Sequence, residues 1–164
     1  MPDMSRVEMG ACSIKLGDDD IGSTLGPTVV QIQPIWRPRR DEKYGESIVE
    51  HIWLGSRVTL VARVQEKTLA NLKRALPYAL EGEGYVAEGR TPGLRMSSAS
   101  ATITLHPLEA TGTEKDIIIH RAAAQGVFEM EFQEGKERSF LVTFAGLIDP
   151  SQLDGALHAR INQP

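Results

Sequence analysis

The side chains that could carry chemistry are few and widely spaced. The nitrogen and sulfur ligands are four histidines, His51, His106, His120 and His158, and one cysteine, Cys12. No two histidines stand three to five residues apart, the spacing that brings two imidazoles onto one metal from a helix or hairpin. Each is read as a surface or partly packed residue. Cys12 lies on the apolar side of an alternating segment, where a small buried thiol is the default and a reactive one would need a cationic neighbour. A single cysteine excludes an internal disulfide and a multi-cysteine zinc site. Asp18, Asp19 and Asp20 begin like a calcium loop, but Val29 stands where the bidentate glutamate is required. Gly82-Glu83-Gly84 lacks the third glycine of a phosphate cradle and does not lead from a strand into a helix. Glu129 and Glu131 share one face of an alternating segment and could do paired acid/base work, yet glutamates on an open sheet face are ordinarily just solvated. No catalytic, cofactor-binding or metal-binding residue is assigned, and the chain is not read as an enzyme.

The elements that would position these residues are mostly strands, because apolar residues recur at every second position. Cys12, Ile14 and Leu16 alternate with Ser13 and Lys15 and stop at the turn 17–20. Residues 28–36 form a Val- and Ile-rich strand that Pro34 ends irregularly. Residues 37–55, with Pro38, the charges of 39–42 and scattered apolar side chains, are read as a long loop. In 56–64, Val58, Leu60, Ala62 and Val64 face one way, and Arg57, Thr59, Val61 and Arg63 the other. Leu69, Leu72 and Leu76 change the period to a helix over 68–76, with Thr68 as N-cap, Lys73 and Arg74 in the last turn and Pro77 as terminator. Residues 78–98 are rich in glycine and proline and read as a long surface connection. Strands return at 101–106, 116–123, 127–132 and 138–147. Phe128, Met130 and Phe132 face one side of the third, and a turn at 133–136 pairs it with the fourth as an antiparallel hairpin. The tail from Asp149 onward is an arm or a final short strand.

Size and composition bound the rest. The chain has 164 residues, 41% hydrophobic and 24% charged, which suits one domain with one core. Its net charge of −4 offers no overall basic footprint for gripping nucleic acid. No apolar run approaches the ~20 residues of a membrane span, and residues 1–10 show no apolar signal-peptide core, so synthesis in the cytoplasm is expected.

Several segments, in order, resemble phage tail tube proteins. Gly10-Ala11-Cys12-Ser13-Ile14-Lys15-Leu16-Gly17 followed by Ile21-Gly22-Ser23-Thr24 is similar to that family's opening strand and turn. Residues 41–50 (DEKYGESIVE) resemble its D-x-Y-G-x-(T/S)-P-V-(D/E) loop, with Ile48 in place of the usual proline. Gly55 to Val64, followed by 66–72 (EKTLANL), is similar to its strand-to-helix passage, and 140–150 (FLVTFAGLIDP) to its closing V-T-F-x-A-L-x-D-P segment. The matches cover about half the chain, and residues 78–98 align with no motif.

The resemblance implies a mainly β protein, a β-barrel or sandwich with one flanking helix, the fold also found in the haemolysin-coregulated tube protein of type VI secretion. A single tail-tube-like domain would span 1–164. Six copies would close into a ring and rings would stack into a tube that conducts DNA without binding it specifically. Such pairing removes the free sheet edge of each subunit. The long loop, with Asp41, Tyr44, Gly45, Glu46, Ile48, Ile52 and Trp53, is the expected contact between stacked rings; the plainer alternative is a loop folded over its own core. Thr59, Arg63, Glu129 and Glu131 are the expected lumen-facing residues, the alternative being an outer face. Six copies at −4 each give −24 per ring, and an acidic lining would repel phosphates and let DNA slide. The implied partners are copies of itself, tail-tip or baseplate and terminator proteins and a sheath protein, with no membrane partner and no cofactor. The implied location is the virion tail, assembled in the host cytoplasm. Competing readings are the tube of a phage-like injection or type VI particle, a small-ligand-binding β-barrel, and an enzyme built on Glu129 and Glu131.

Overall fold

A computed structural model describes residues 11–162 apart from 23, 67, 88, 90, 91, 131, 133, 135–137 and 153–157. It is mainly β, as the alternation requires. The strands are β1 (Cys12–Leu16), β2 (Asp19–Asp20), β3 (Val29–Arg40), β4 (Ile48–Val64), β5 (Leu80–Gly82), β6 (Tyr85–Ala87), β7 (Ala101–Pro107), β8 (Ile117–Ala124), β9 (Glu129–Met130), β10 (Phe140–Gly146) and β11 (Ala159–Ile161). One helix, α1 (Leu69–Ala75), follows β4. The main sheet runs β2-β1-β7-β8-β10-β4-β3, with β11 beside β8 and β9 beside β10, and every pairing is antiparallel.

The sheet curls until its two ends meet. Thr24 bridges to Val64, and Leu25 N–H donates to the Arg63 carbonyl at 2.8 Å, so the chain leaving β2 lies against the last residues of β4, the strand next to the far edge. The concave face then encloses one core: Ile14 and Leu16 from β1, Val58, Leu60, Ala62 and Val64 from β4, Ile103 and Leu105 from β7, Ile119 from β8, and Phe140, Val142 and Phe144 from β10. In β4 the alternate residues Thr59, Val61 and Arg63 look outward, as the period-two pattern predicts.

Helix α1 closes this barrel. Thr68 Oγ1 accepts from Asn71 N–H at 3.1 Å, the N-cap read from the sequence. Asn71 is itself buried; its Nδ2 donates to the carbonyls of Ile21 (2.9 Å) and Glu66 (3.1 Å), and its Oδ1 accepts from Arg74 (3.0 Å). One amide side chain thus ties the helix to the seam between β2 and β4.

Five sequence expectations change. The long loop expected at 37–55 is instead the outer part of a β-hairpin: β3 and β4 pair continuously from Val29↔Val61 to Arg40↔Ile48, and only 41–47 form the connecting tip. Pro34 and Pro38 do not interrupt β3 because it is an edge strand; both occupy the same parity, and a ring nitrogen facing the free edge breaks no ladder bond. Residues 78–98 hold the small hairpin β5–β6 and a 3-10 turn, Met96–Ala99. Phe132 is not on the core side with Phe128 and Met130: it is 68% exposed, with the Arg138 guanidinium over its ring. The third late strand is short, Glu129–Met130, although it pairs with β10 as expected; the turn expected at 133–136 falls mostly outside the described residues. The tail does end in a strand, β11 on β8.

Candidate assembly surface

The feature that no core explains is the β3–β4 arm. β4 is 17 residues long, but only its second half is buried; residues 48–54 of β4 and 31–40 of β3 are exposed. Two strands alone cannot bury a face, and an isolated hairpin is marginal in water. Here the ladder is anchored at its inner end by the barrel and runs out of core halfway along.

Register assigns the arm's two faces. Residues opposite one another in an antiparallel pair share a side. One face therefore continues the barrel core outward: Val30↔Leu60, Ile32↔Val58, Pro34↔Ser56, Trp36↔Trp53, Pro38↔His51, Arg40↔Ile48. Inward along this row Leu60 and Val58 are buried; outward Ile32 (44%), Trp36 (53%), Trp53 (59%) and Ile48 (49%) are open to solvent. The other face is the more polar one, although it also exposes Ile35 and Ile52: Gln31↔Thr59, Gln33↔Arg57, Ile35↔Gly55, Arg37↔Ile52, Arg39↔Glu50. Leu54 is the extra residue of a bulge between the Ile35↔Gly55 and Trp36↔Trp53 pairs, and Gly55, at φ +133°, supplies the backbone turn there. Such bulges increase twist, so the outer arm is swung relative to the barrel strands.

The tip is built from local polar contacts. Asp41 Oδ1 accepts from Lys43 N–H at 2.9 Å and starts a 3-10 turn over Glu42–Tyr44; Gly45 closes it at φ +66°. Arg40 pairs with Glu46, and Arg39 with Glu50 at 3.5 Å. Tyr44 is 57% exposed, with the Lys43 ammonium 5.8 Å from its ring centre.

The residues expected in the ring contact are thus divided by the hairpin. Asp41, Tyr44, Gly45 and Glu46 make the tip, Ile48 and Trp53 lie on the apolar face, and Ile52 lies on the polar face. The sequence reading missed Ile32, Pro34 and Trp36, which complete the apolar face with Trp53. Their alternation was legible, but nothing local said that this strand runs beyond the core.

The lumen candidates also find a place. Arg63 pairs with Leu141, and Leu141 with Glu129, while Thr59 pairs with Ala145. Thr59, Arg63 and Glu129 therefore share the convex face of the sheet, continuous with the polar face of the arm. Glu131 lies outside the described residues. Among the described residues of β3, β4 and β9, that face carries Arg37, Arg39, Arg57 and Arg63 against Glu50 and Glu129, which is not the acidic character expected of a lining.

The remaining ionisable groups serve the fold. His106 Nδ1 meets Asp116 Oδ1 at 2.6 Å, joining β7 to the start of β8 beside the buried Asp116 carboxylate. The backbone N–H of His120 donates to the His158 carbonyl at 3.1 Å, holding β11 to β8, while among the described residues the buried His120 Nε2 and His158 Nδ1 find no hydrogen-bond partner. Among the described residues no group of three or more His, Cys, Asp or Glu is placed to hold a metal ion. A void of about 10 Å3 between α1 and β10 holds at most one water. An open cleft of about 380 Å3, lined by Leu16, Asp19, Lys73, Arg74, Ala99 and Phe144 among others, lies at the barrel end beside α1. β1 and β4 run in the same sense and both finish at that end, so the arm leaves from the opposite one.

No family model matches this chain, and a search of the curated proteins returns no significant match.

Proposed function

We propose that the chain is a structural subunit whose copies assemble into stacked rings forming a tube, of the kind found in phage tails and related injection particles, with the β3–β4 arm as the contact between successive rings. The observation that carries this reading is the apolar face of the arm. It is continuous with the core, bears two indoles directly opposite one another, and is left open in the single chain. An exposed apolar patch of this kind is a liability unless a partner covers it. The partner proposed is another copy: the arm leaves one end of the barrel while the cleft, β1–β2 turn and α1 occupy the other, so arm-to-barrel contact is head to tail and propagates instead of closing as a two-fold dimer. β3 also has a free edge, which lateral pairing within a ring would cover. In this reading tail-tip or baseplate, terminator and sheath proteins are the further partners, and the virion tail is the location.

The test is direct. Purified protein, concentrated and examined by negative-stain electron microscopy and sedimentation velocity, is expected to show rings or tubes, with or without seeding by a tail-tip complex. A strictly monomeric species under all these conditions refutes the reading. The rival small-ligand barrel has the 380 Å3 cleft in its favour, since that volume falls within the range of small-molecule pockets. It predicts a monomer whose melting temperature rises with a bound amphipathic ligand.

A further inference from the structure

The polar face of the arm remains once the apolar face is covered, and its charge is opposite to that of the chain as a whole. Along β3 and β4 the register puts Arg37, Arg39, Arg57 and Arg63 on this one face, with Gln33 and Thr59 but also Ile35, Ile52 and Val61 between them. Glu50 is the single acidic residue that the two strands contribute to it. Arg37, Arg39 and Arg57 are exposed, and among the described residues neither Arg37 nor Arg57 has an acidic partner; Arg39 reaches Glu50 only at 3.5 Å, with both side chains about 60% open. At a strand rise of ~3.3 Å the row from Arg39 to Arg63 extends over roughly 40 Å. The chain's net charge of −4 is therefore a sum over unlike surfaces: an acidic remainder and an arginine-bearing ribbon.

We propose that this face contacts the phosphate backbone of duplex DNA, weakly and without sequence preference. Guanidinium groups present paired donors that match phosphate oxygens, and they are more weakly hydrated than ammonium groups, so they surrender water readily at such contacts. Amide and hydroxyl side chains between them are the usual companions in backbone contacts. Nothing on the face is arranged to read base edges, and the acidic remainder opposes tight binding. The face contains Thr59 and Arg63, so a tube with this side turned inward would brake passing DNA by transient pairing instead of merely repelling it. The inference goes beyond assembly and stands without it, because the face exists in the single chain.

The experiment is fluorescence anisotropy of a labelled DNA duplex with the full chain, below the concentration at which sedimentation detects assembly. With about three phosphate contacts, from the exposed Arg37, Arg39 and Arg57, log affinity should fall against log salt with a slope of about −2.7, so binding weakens about 40-fold between about 50 and 200 mM salt. The triple variant Arg37→Gln, Arg39→Gln, Arg57→Gln should flatten the slope by about 2.7 while keeping the wild-type melting temperature. Absence of binding at low salt, or an unchanged slope in the folded triple variant, overturns the proposal. So does displacement by poly-glutamate as effective as by unlabelled duplex, which would assign the face to an acidic protein surface. Sedimentation of the same samples keeps the two readings apart: a chain that assembles but ignores DNA refutes this inference alone, and one that binds DNA but never assembles refutes the assembly reading alone.

Discussion

Replacing Trp36 and Trp53 together by alanine separates the arm's part in assembly from its part in folding. A tryptophan side chain offers at most about 250 Å2 to bury. With 53% and 59% of the two residues open, roughly 280 Å2 of mostly apolar surface is available to a neighbour. If stacking covers half of it, the gross gain at about 25 cal/mol per Å2 is about 3.5 kcal/mol per contact. At 1.4 kcal/mol per tenfold, the concentration needed for assembly should rise by about 100-fold or more in the double variant. The fold should be nearly indifferent, because neither indole belongs to the core cluster, and the loss of their cross-strand pairing costs the arm only about 1 kcal/mol locally. Sedimentation velocity across a concentration series measures the first quantity and thermal denaturation the second. Assembly of the variant at the wild-type concentration would refute the assignment of the apolar face to ring contact. A large drop in melting temperature would refute the claim that the arm lies outside the cooperative core.

Three further outcomes follow from the geometry. Asn71→Ala strands the carbonyls of Ile21 and Glu66 at the barrel seam; it should cost about 3 kcal/mol and lower the melting temperature by about 10 °C, and a near-neutral melt would show that the seam is not held by this amide. Gly146→Ala places a Cβ 3.0 Å from Val58 Cβ and 3.5 Å from Ile119 Cγ2, an overpacking expected to cost about 1–3 kcal/mol in denaturant unfolding. Asp149 accepts from Gln152 Nε2 (2.9 Å), Ser151 Oγ (2.7 Å) and Ser151 N–H (3.1 Å), and these bonds to the charged form lower its pKa to about 2. Its pKa is depressed on folding, so any stability it gives is complete above the unfolded value near 3.9 and is lost as pH falls toward about 2. An NMR titration of its carboxyl with a midpoint near the unperturbed value would contradict the turn geometry.

Asn71 and the arm show where sequence reasoning reaches and where it stops. The alternation of Val58, Leu60, Ala62 and Val64, the Thr68 cap and the β9–β10 pairing were legible because each depends on residues adjacent in sequence or on a period that burial imposes. Asn71 was not singled out: on a short helix it looks like an ordinary polar residue, and its partners Ile21 and Glu66 are brought to it only when the sheet curls. The stretch 37–55 was misread for the converse reason. Its charges and prolines are what a loop would carry, and an edge strand beyond the core tolerates both, since neither burial nor a second neighbouring strand enforces alternation there.

The sequence by itself determined the mainly β class, the inward faces of β1 and β4 and the one capped helix, because local periodicity and capping chemistry are properties of neighbours along the chain. It also determined which aromatic and charged residues the stretch around 37–55 contains. Only the tertiary structure decided that these residues form a ribbon with an apolar face and an arginine face, projecting from the barrel end opposite α1. That outcome depends on register, bulges and the closure of the sheet, all set by pairings between residues distant in sequence, and it is what gives one strand pair two surfaces to offer to two partners.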